Sequence, residues 1–121
     1  MRRLSYASTM VLELVDIGVL DGQDAAFEAA LCEVRQRVFM SPGFRGFTVA
    51  QGVEDPSAYV VQVLWESPEE LVDFTESRFA RCWAPVEPFL VGPLRVKRFM
   101  ERPGLALHGP GVITDLAWLS E

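Results

Sequence analysis

One stretch constrains the fold more than any other, because in it a strand runs directly into a helix. Residues 59–70 read Tyr-Val-Val-Gln-Val-Leu-Trp-Glu-Ser-Pro-Glu-Glu. Side chains alternate between the two faces of a strand, and both faces here are largely apolar up to Trp65, which predicts a central strand. Ser67 then occupies an N-cap position, Pro68 the first helical position, and Glu70 completes a capping box. A helix is therefore expected to begin at residue 68.

The same patterns predict the rest of the chain. A helix with apolar residues spaced by four, three and four ends at Ser41-Pro42-Gly43. In the strand that follows it, Phe44 is expected on the face opposite Phe47. The expected order is strand, helix, strand, strand, helix, strand, with the strands at 9–17, 44–53, 59–66 and 94–100.

This order is typical of a ferredoxin-like α+β fold, βαββαβ, with a four-stranded antiparallel sheet and both helices on one face. Because the strands are apolar on both faces, we expect a second copy of the chain to cover the other face. The result would be a homodimer in which the two sheets pack face to face as a β-barrel.

The second helix is expected to run from Pro68 to about Leu90, with Pro85 and Pro88 kinking or breaking its last turns. Arg78 falls on its apolar stripe. Its side chain either reaches solvent from the helix edge, with the stem packed on the core, or enters a pocket.

Glu13 is the other unusual polar position, since it lies in the first strand on the same face as three aliphatic side chains. Burial of an unpaired carboxylate is costly, so this residue should reach solvent at an edge, pair with an arginine, or line a cavity.

Composition narrows the function. The net charge of −6 among 121 residues argues against a nucleic-acid-binding surface. The two cysteines, Cys32 and Cys82, lack metal-site spacing, and no apolar run approaches the ~20 residues of a membrane span.

We therefore expect a cytoplasmic protein that consists of one domain at 1–100 and an apolar extension at 101–121. The extension is expected to pack on its own domain or on a partner subunit.

Several short motifs together point to a family. Pro42-Gly43-Phe44 is followed by Gly46, Trp65-Glu66-Ser67 opens a Glu-rich helix, and aromatic residues recur at Phe79 and Trp83. Over roughly residues 9–100 the chain resembles the antibiotic biosynthesis monooxygenase family of dimeric α+β barrels. The resemblance implies a homodimer with a pocket between sheet and helices in each subunit. It also implies oxygenation of a polycyclic aromatic polyketide by O2 with no metal, flavin or other cofactor.

Within this hypothesis Tyr59 or Glu13 would deprotonate the substrate, and Arg78 or Arg81 would stabilise the enolate. Trp65 matches the family's pocket tryptophan at the strand end. The remaining candidates would bind substrate: Phe47, Gln62, Phe74, Arg81 and Trp83.

Two other functions stay open. The chain contains no Asn, which related quinone-forming enzymes use as a hydrogen-bonding partner, although Gln62, Gln51 or Thr48 could supply the donor. Its only histidine is His108, so heme oxygenation is not expected. The alternatives are a polyketide cyclase or isomerase that does not use oxygen, and a non-catalytic dimeric ligand-binding or accessory protein.

Overall fold

The computed structural model describes residues 10–107 and contains a four-stranded sheet with helices on one face. Along the chain the strands and helices are β1 (Val11–Gly18), α1 (Asp24–Phe39), β2 (Phe44–Gln51), β3 (Ala58–Trp65), α2 (Pro68–Ser77), α3 (Phe79–Trp83) and β4 (Arg95–Met100). Short 3-10 segments lie at Ala84–Phe89 and Pro103–Leu105.

The strands are ordered β2-β3-β1-β4, and every neighbouring pair is antiparallel. This confirms the ferredoxin-like α+β fold and the central position of β3. In this register Glu13 of β1 lies between Val63 of β3 and Arg98 of β4. Trp65 pairs with Val11 at one end of the β1–β3 ladder, and Tyr59 pairs with Ile17 one position before the other end.

The core lies between the sheet and the helices. The apolar stripe of α1 is buried as predicted, and alternate residues of β1 and β3 face it. The largest side chains that are fully buried among the described residues are Trp65, Trp83 and Phe27. Within residues 10–107 one charged residue, Glu13, is also fully buried.

The predicted start of α2 is confirmed: the Ser67 hydroxyl accepts a hydrogen bond from the Glu70 amide at 3.3 Å, and Pro68 is the first helical residue. The expected break of the last turns at Pro85 and Pro88 is confirmed, but the helix that starts at Pro68 also ends earlier than expected. Arg78, with φ −132° and ψ −21°, separates α2 from α3. The chain then tightens into a 3-10 segment that contains Pro85 and Pro88, which lack the N–H that an α-helix would use. Arg78 therefore lies at a helix boundary and is not part of a continuous apolar stripe.

The prediction for Phe44 is also wrong, because β2 contains a bulge. Phe44 pairs with Trp65, but Gly46 pairs with Leu64, so the register shifts at Arg45. The extra residue places Phe44 on the same face as Phe47, toward the helices, and its ring contacts that of Trp65 edge-on at 6.4 Å.

The turn before β2 requires a glycine. Gly43 has φ +84°, and a Cβ added there would lie 2.5 Å from Cβ of Glu70 in the first turn of α2. The carbonyl of Gly43 accepts a hydrogen bond from the Glu66 amide at 2.8 Å. The end of β3 is thereby fixed against the turn that follows α1.

The opposite face of the sheet has no helix on it in the described part of the chain. It presents the half-buried Leu12, Leu14, Val60 and Leu64, with the exposed Gln62 between them. Most of the predicted apolar extension, from residue 108 onward, lies outside the described residues. No helix within residues 10–107 has the length and apolarity needed to cross a bilayer.

Candidate active site

The most unusual group in the structure is the buried carboxylate of Glu13. Its Oε1 accepts a hydrogen bond from the indole Nε1 of Trp65 at 3.0 Å. Its Oε2 is buried and has no hydrogen-bond partner among the described residues. A guanidinium nitrogen of Arg98 lies 3.9 Å from Oε2, which is too far for a hydrogen bond but close enough for an ion pair. Of the three outcomes considered for this residue, the structure supports pairing with an arginine.

Burial raises the pKa of the Glu13 carboxyl above its usual range, because the charged form loses its hydration. The Trp65 hydrogen bond and the Arg98 charge lower the pKa by less than burial raises it. A carboxylate whose pKa is raised binds a proton more strongly than an exposed one, which suits a general base.

An aromatic cluster extends from Trp65, the hydrogen-bond partner of this carboxylate, on the helix side of the sheet. The rings of Trp65 and Phe74 lie 4.7 Å apart, and Phe79 joins Phe74 to Trp83 at 6.0 and 5.9 Å. Phe47 stacks on Trp83 at 6.5 Å. The structure thus brings together five of the predicted site residues: Glu13, Phe47, Trp65, Phe74 and Trp83.

A groove of about 400 Å³ opens between α2 and β4. Its walls are mostly apolar and include Val11, Leu71, Val72 and Met100. Arg98 lines the groove, and its guanidinium also donates a hydrogen bond to the Thr75 hydroxyl at 3.1 Å. Arg98 therefore lies between the groove and the buried carboxylate.

Tyr59 lies at the other end of the sheet. Its hydroxyl donates a hydrogen bond to Glu28 at 2.6 Å and accepts one from the Gln51 amide at 3.2 Å. Burial, followed by the hydrogen bond to Glu28, raises the pKa of Tyr59 to about 12. These residues line a second groove of about 310 Å³, beside α1. The structure does not bring Tyr59 together with Glu13.

Three other predicted site residues are not members of this aromatic cluster. Gln62 is exposed on the sheet face that carries no helix, because it is one position out of phase with Val61 and Val63. Arg81 is exposed, and its backbone carbonyl accepts a hydrogen bond from Arg37 at 2.7 Å. Arg78 borders a small cleft of about 190 Å³ that Phe74 also lines.

Arg98 and Thr75 are the site residues that the sequence did not single out. The alternation of the last strand does place Arg98 on one face with Val96 and Met100. Its position beside Glu13 depends on the pairing of β1 with β4, which joins residues 85 positions apart. No group of three or more His, Cys, Asp or Glu side chains suited to a metal ion occurs within residues 10–107.

Comparison with known proteins identifies relatives of this fold. The family model for antibiotic biosynthesis monooxygenases matches residues 10–84. A structure from Bordetella bronchiseptica, provisionally named an antibiotic biosynthesis monooxygenase, is 27% identical and superposes with a TM-score of 0.70. The match covers 78% of this chain and 98% of that one. No curated protein matches the sequence.

Two further structures share the fold. One from Chloroflexus aurantiacus, with the same provisional name, is 23% identical with a TM-score of 0.63, and the match covers 84% of this chain and 98% of that one. SnoaB of Streptomyces nogalater, a cofactor-independent oxygenase, is 17% identical with a TM-score of 0.67. The match covers 78% of this chain and 94% of SnoaB. The family model spans more than half of the 121 residues and includes both Glu13 and Trp65. The chain therefore belongs to the antibiotic biosynthesis monooxygenase family.

Proposed function

We propose that this protein is a cofactor-independent monooxygenase that oxidises a polycyclic aromatic compound of the polyketide type. The observation that carries the proposal is the buried Glu13 carboxylate, held by the Trp65 indole N–H at 3.0 Å beside an apolar groove. Family membership and the likeness to SnoaB support the use of O2. They do not extend to the substrate, which we infer from the apolar groove and the aromatic cluster.

In the proposed reaction Glu13 removes a proton from an activated CH2 group of the substrate. Trp65 holds Oε1, which leaves Oε2 to receive the proton. The electron pair of the broken C–H bond stays on the substrate as a carbanion, which O2 then oxidises. Overall R2CH2 and O2 give R2C=O and H2O, so the substrate is the reductant and O2 the oxidant. The aromatic rings would pack on the apolar wall that Leu71 and Met100 supply.

We also propose that two copies of the chain associate through the sheet face that carries Leu12, Leu14, Val60 and Leu64. These side chains would leave water on association. In a symmetric pair the same face of each copy covers that of the other, so neither apolar face stays exposed. The test is the molecular mass in solution. A monomer at micromolar concentration would contradict the proposed homodimer.

The decisive experiment measures O2 uptake by metal-free and flavin-free protein with anthrone, after subtraction of buffer autoxidation. Glu13→Gln keeps the shape of the side chain but removes the base. We expect turnover to fall by at least ~10²-fold, the order seen when one stabilising group is lost from an active site. Uptake equal to that of the wild type would contradict the role of Glu13.

Glu28→Gln is the matched control, because Glu28 also accepts a hydrogen bond from an aromatic side chain but lies at the other groove. This variant is expected to keep wild-type turnover. Conversion that continues without O2 would instead identify the cyclase or isomerase alternative.

One observation favours a second candidate, a non-catalytic ligand-binding protein. Glu13 is fully buried, and Trp65 and Trp83 are buried in the aromatic cluster, so a substrate reaches the carboxylate only if Arg98 or an aromatic ring moves. Binding of anthrone with neither O2 uptake nor anaerobic conversion would establish this candidate.

A further inference from the structure

We propose that Arg98 is the ligand-binding residue of the groove between α2 and β4, and that it exchanges Glu13 for an ionised oxygen on the ligand. The expected ligand is a flat apolar molecule with one acidic hydroxyl, such as the enol form of the proposed substrate. This inference rests on the proposed function for the role of Glu13, and it adds the ligand's chemical class and the residue that selects it.

The geometry around Arg98 carries the proposal. Its guanidinium is 3.9 Å from Glu13 Oε2, beyond hydrogen-bond distance, and 3.1 Å from Thr75 Oγ1. The Arg98 side chain is 45% exposed, whereas that of Glu13 is 0% exposed. Arg98 therefore has guanidinium N–H groups free to bind a ligand from the groove, and little hydrogen bonding to Glu13 is lost when it does so.

The charges of the groove define which ligand fits. Among the described residues that line it, Arg98 is the one basic residue and Glu76 the one acidic residue, and the others are apolar apart from Thr75. A hydrophobic ring system fits the walls, and a single negative charge pairs with Arg98. A second negative charge near Glu76 would be repelled. The groove is thus suited to an aromatic monoanion.

The exchange also provides an acceptor for the proton that the ligand hydroxyl loses. The enol O–H bond breaks, its electron pair remains on the ligand oxygen beside Arg98, and the proton passes to Oε2 of Glu13. Loss of the CH2 proton from the keto form gives the same anion, so Glu13 takes up one proton in either case. The Glu13–Arg98 ion pair becomes a neutral Glu13 and a pair between Arg98 and the ligand. Net charge is conserved, and no proton is exchanged with water.

The test uses two probes that differ only in the hydroxyl group, 2-hydroxyanthraquinone and anthraquinone, neither of which needs O2. The visible absorption of the hydroxylated probe reports its ionisation. At a pH where the free probe is neutral, the wild-type protein should bind it as the anion, and at least ~10-fold more tightly than anthraquinone. Arg98→Met should reduce that preference by about 10- to 100-fold, the range for a hydrogen bond to a charged group. Arg98→Lys should keep part of it.

Lys97→Met is the matched control, since Lys97 is the adjacent cation on the opposite face of β4, and it should leave the preference unchanged. Circular dichroism of Arg98→Lys checks that the fold persists. Equal affinity of the wild type for both probes would overturn the inference, as would an unchanged preference in Arg98→Met. Selective binding of the anion without O2 uptake from anthrone would instead contradict the proposed oxygenase and leave this inference standing.

Discussion

The two ends of the sheet carry the same contact in different surroundings. At one end the Trp65 indole donates to Glu13, and at the other the Tyr59 hydroxyl donates to Glu28. Glu13 is fully buried, whereas Glu28 is exposed at the mouth of a groove. Burial thus perturbs the acceptor at the first end and the donor at the second, since it raises the pKa of Glu13 and of Tyr59. A hydrogen-bonded carboxylate becomes a candidate base only where water is excluded from it.

The two ends should differ most in the free energy of unfolding that is lost when the aromatic side chain is removed. Trp65→Ala should lower the free energy of unfolding by about 3–5 kcal/mol, because the cavity it leaves lies within the aromatic cluster. Tyr59→Ala should cost less, since Tyr59 borders a groove that water can enter. Urea denaturation of both variants measures the difference. Equal losses of unfolding free energy in the two variants would contradict the proposed difference in burial between Trp65 and Tyr59.

A smaller effect is expected when only the donor is removed. Trp65→Phe leaves the Glu13 carboxylate buried without a partner at Oε1, so it should cost roughly 1–3 kcal/mol beyond the change in ring size. Tyr59→Phe leaves Glu28 free to bind water, and the loss should be about 0.5–1.5 kcal/mol. Thermal unfolding at neutral pH compares the pair. A larger loss in Tyr59→Phe would show that the buried acceptor is hydrated.

The two ends should also respond to opposite ranges of pH. The raised pKa means that folded Glu13 keeps its proton above pH 4.5, where the unfolded chain has released it. The free energy of unfolding therefore falls as pH rises from 4.5 through the folded pKa, and Glu13→Gln should remove that part of the slope. For Tyr59 the corresponding fall lies between pH 10.0 and about 12, and Tyr59→Phe should remove it. Denaturation over both ranges checks the assignment, and a slope unchanged in the variants would contradict it.

The smallest expected difference concerns the helix that begins at each end. Ser67 caps α2 with its side chain, whereas Gln23, which precedes α1, makes no side-chain capping bond. Ser67→Ala should cost about 1 kcal/mol, and Gln23→Ala should cost little. Denaturant midpoints measure both. A comparable loss in Gln23→Ala would mean that the N-terminus of α1 depends on its side chain in another way.

The predictable part of the molecule is the part set by neighbours in sequence. Alternation sorted the residues of β1 and β3 correctly between the two faces of the sheet, and the capping residues located the start of α2 to the residue. The break at Arg78 and the bulge at Arg45 were missed, because both depend on how a segment must bend to pack on the sheet.

The same distinction applies to the candidate site. Glu13 and Trp65 were each predicted from local pattern, but neither their hydrogen bond nor the proximity of Arg98 follows from it. The register of three strands creates those contacts. Gln62 was grouped with Trp65 although their positions in β3 differ by an odd number, so alternation alone places them on opposite faces.

The bulge in β2 also bears on solubility. β2 is an edge strand, and its outer backbone groups could template the addition of another chain. The extra residue at Arg45 interrupts the regular spacing of those groups near the start of the strand. The Arg45 side chain also adds an exposed charge, 3.6 Å from Glu66. The bulge that directs Phe44 toward the core thus also makes this edge a poor template for aggregation.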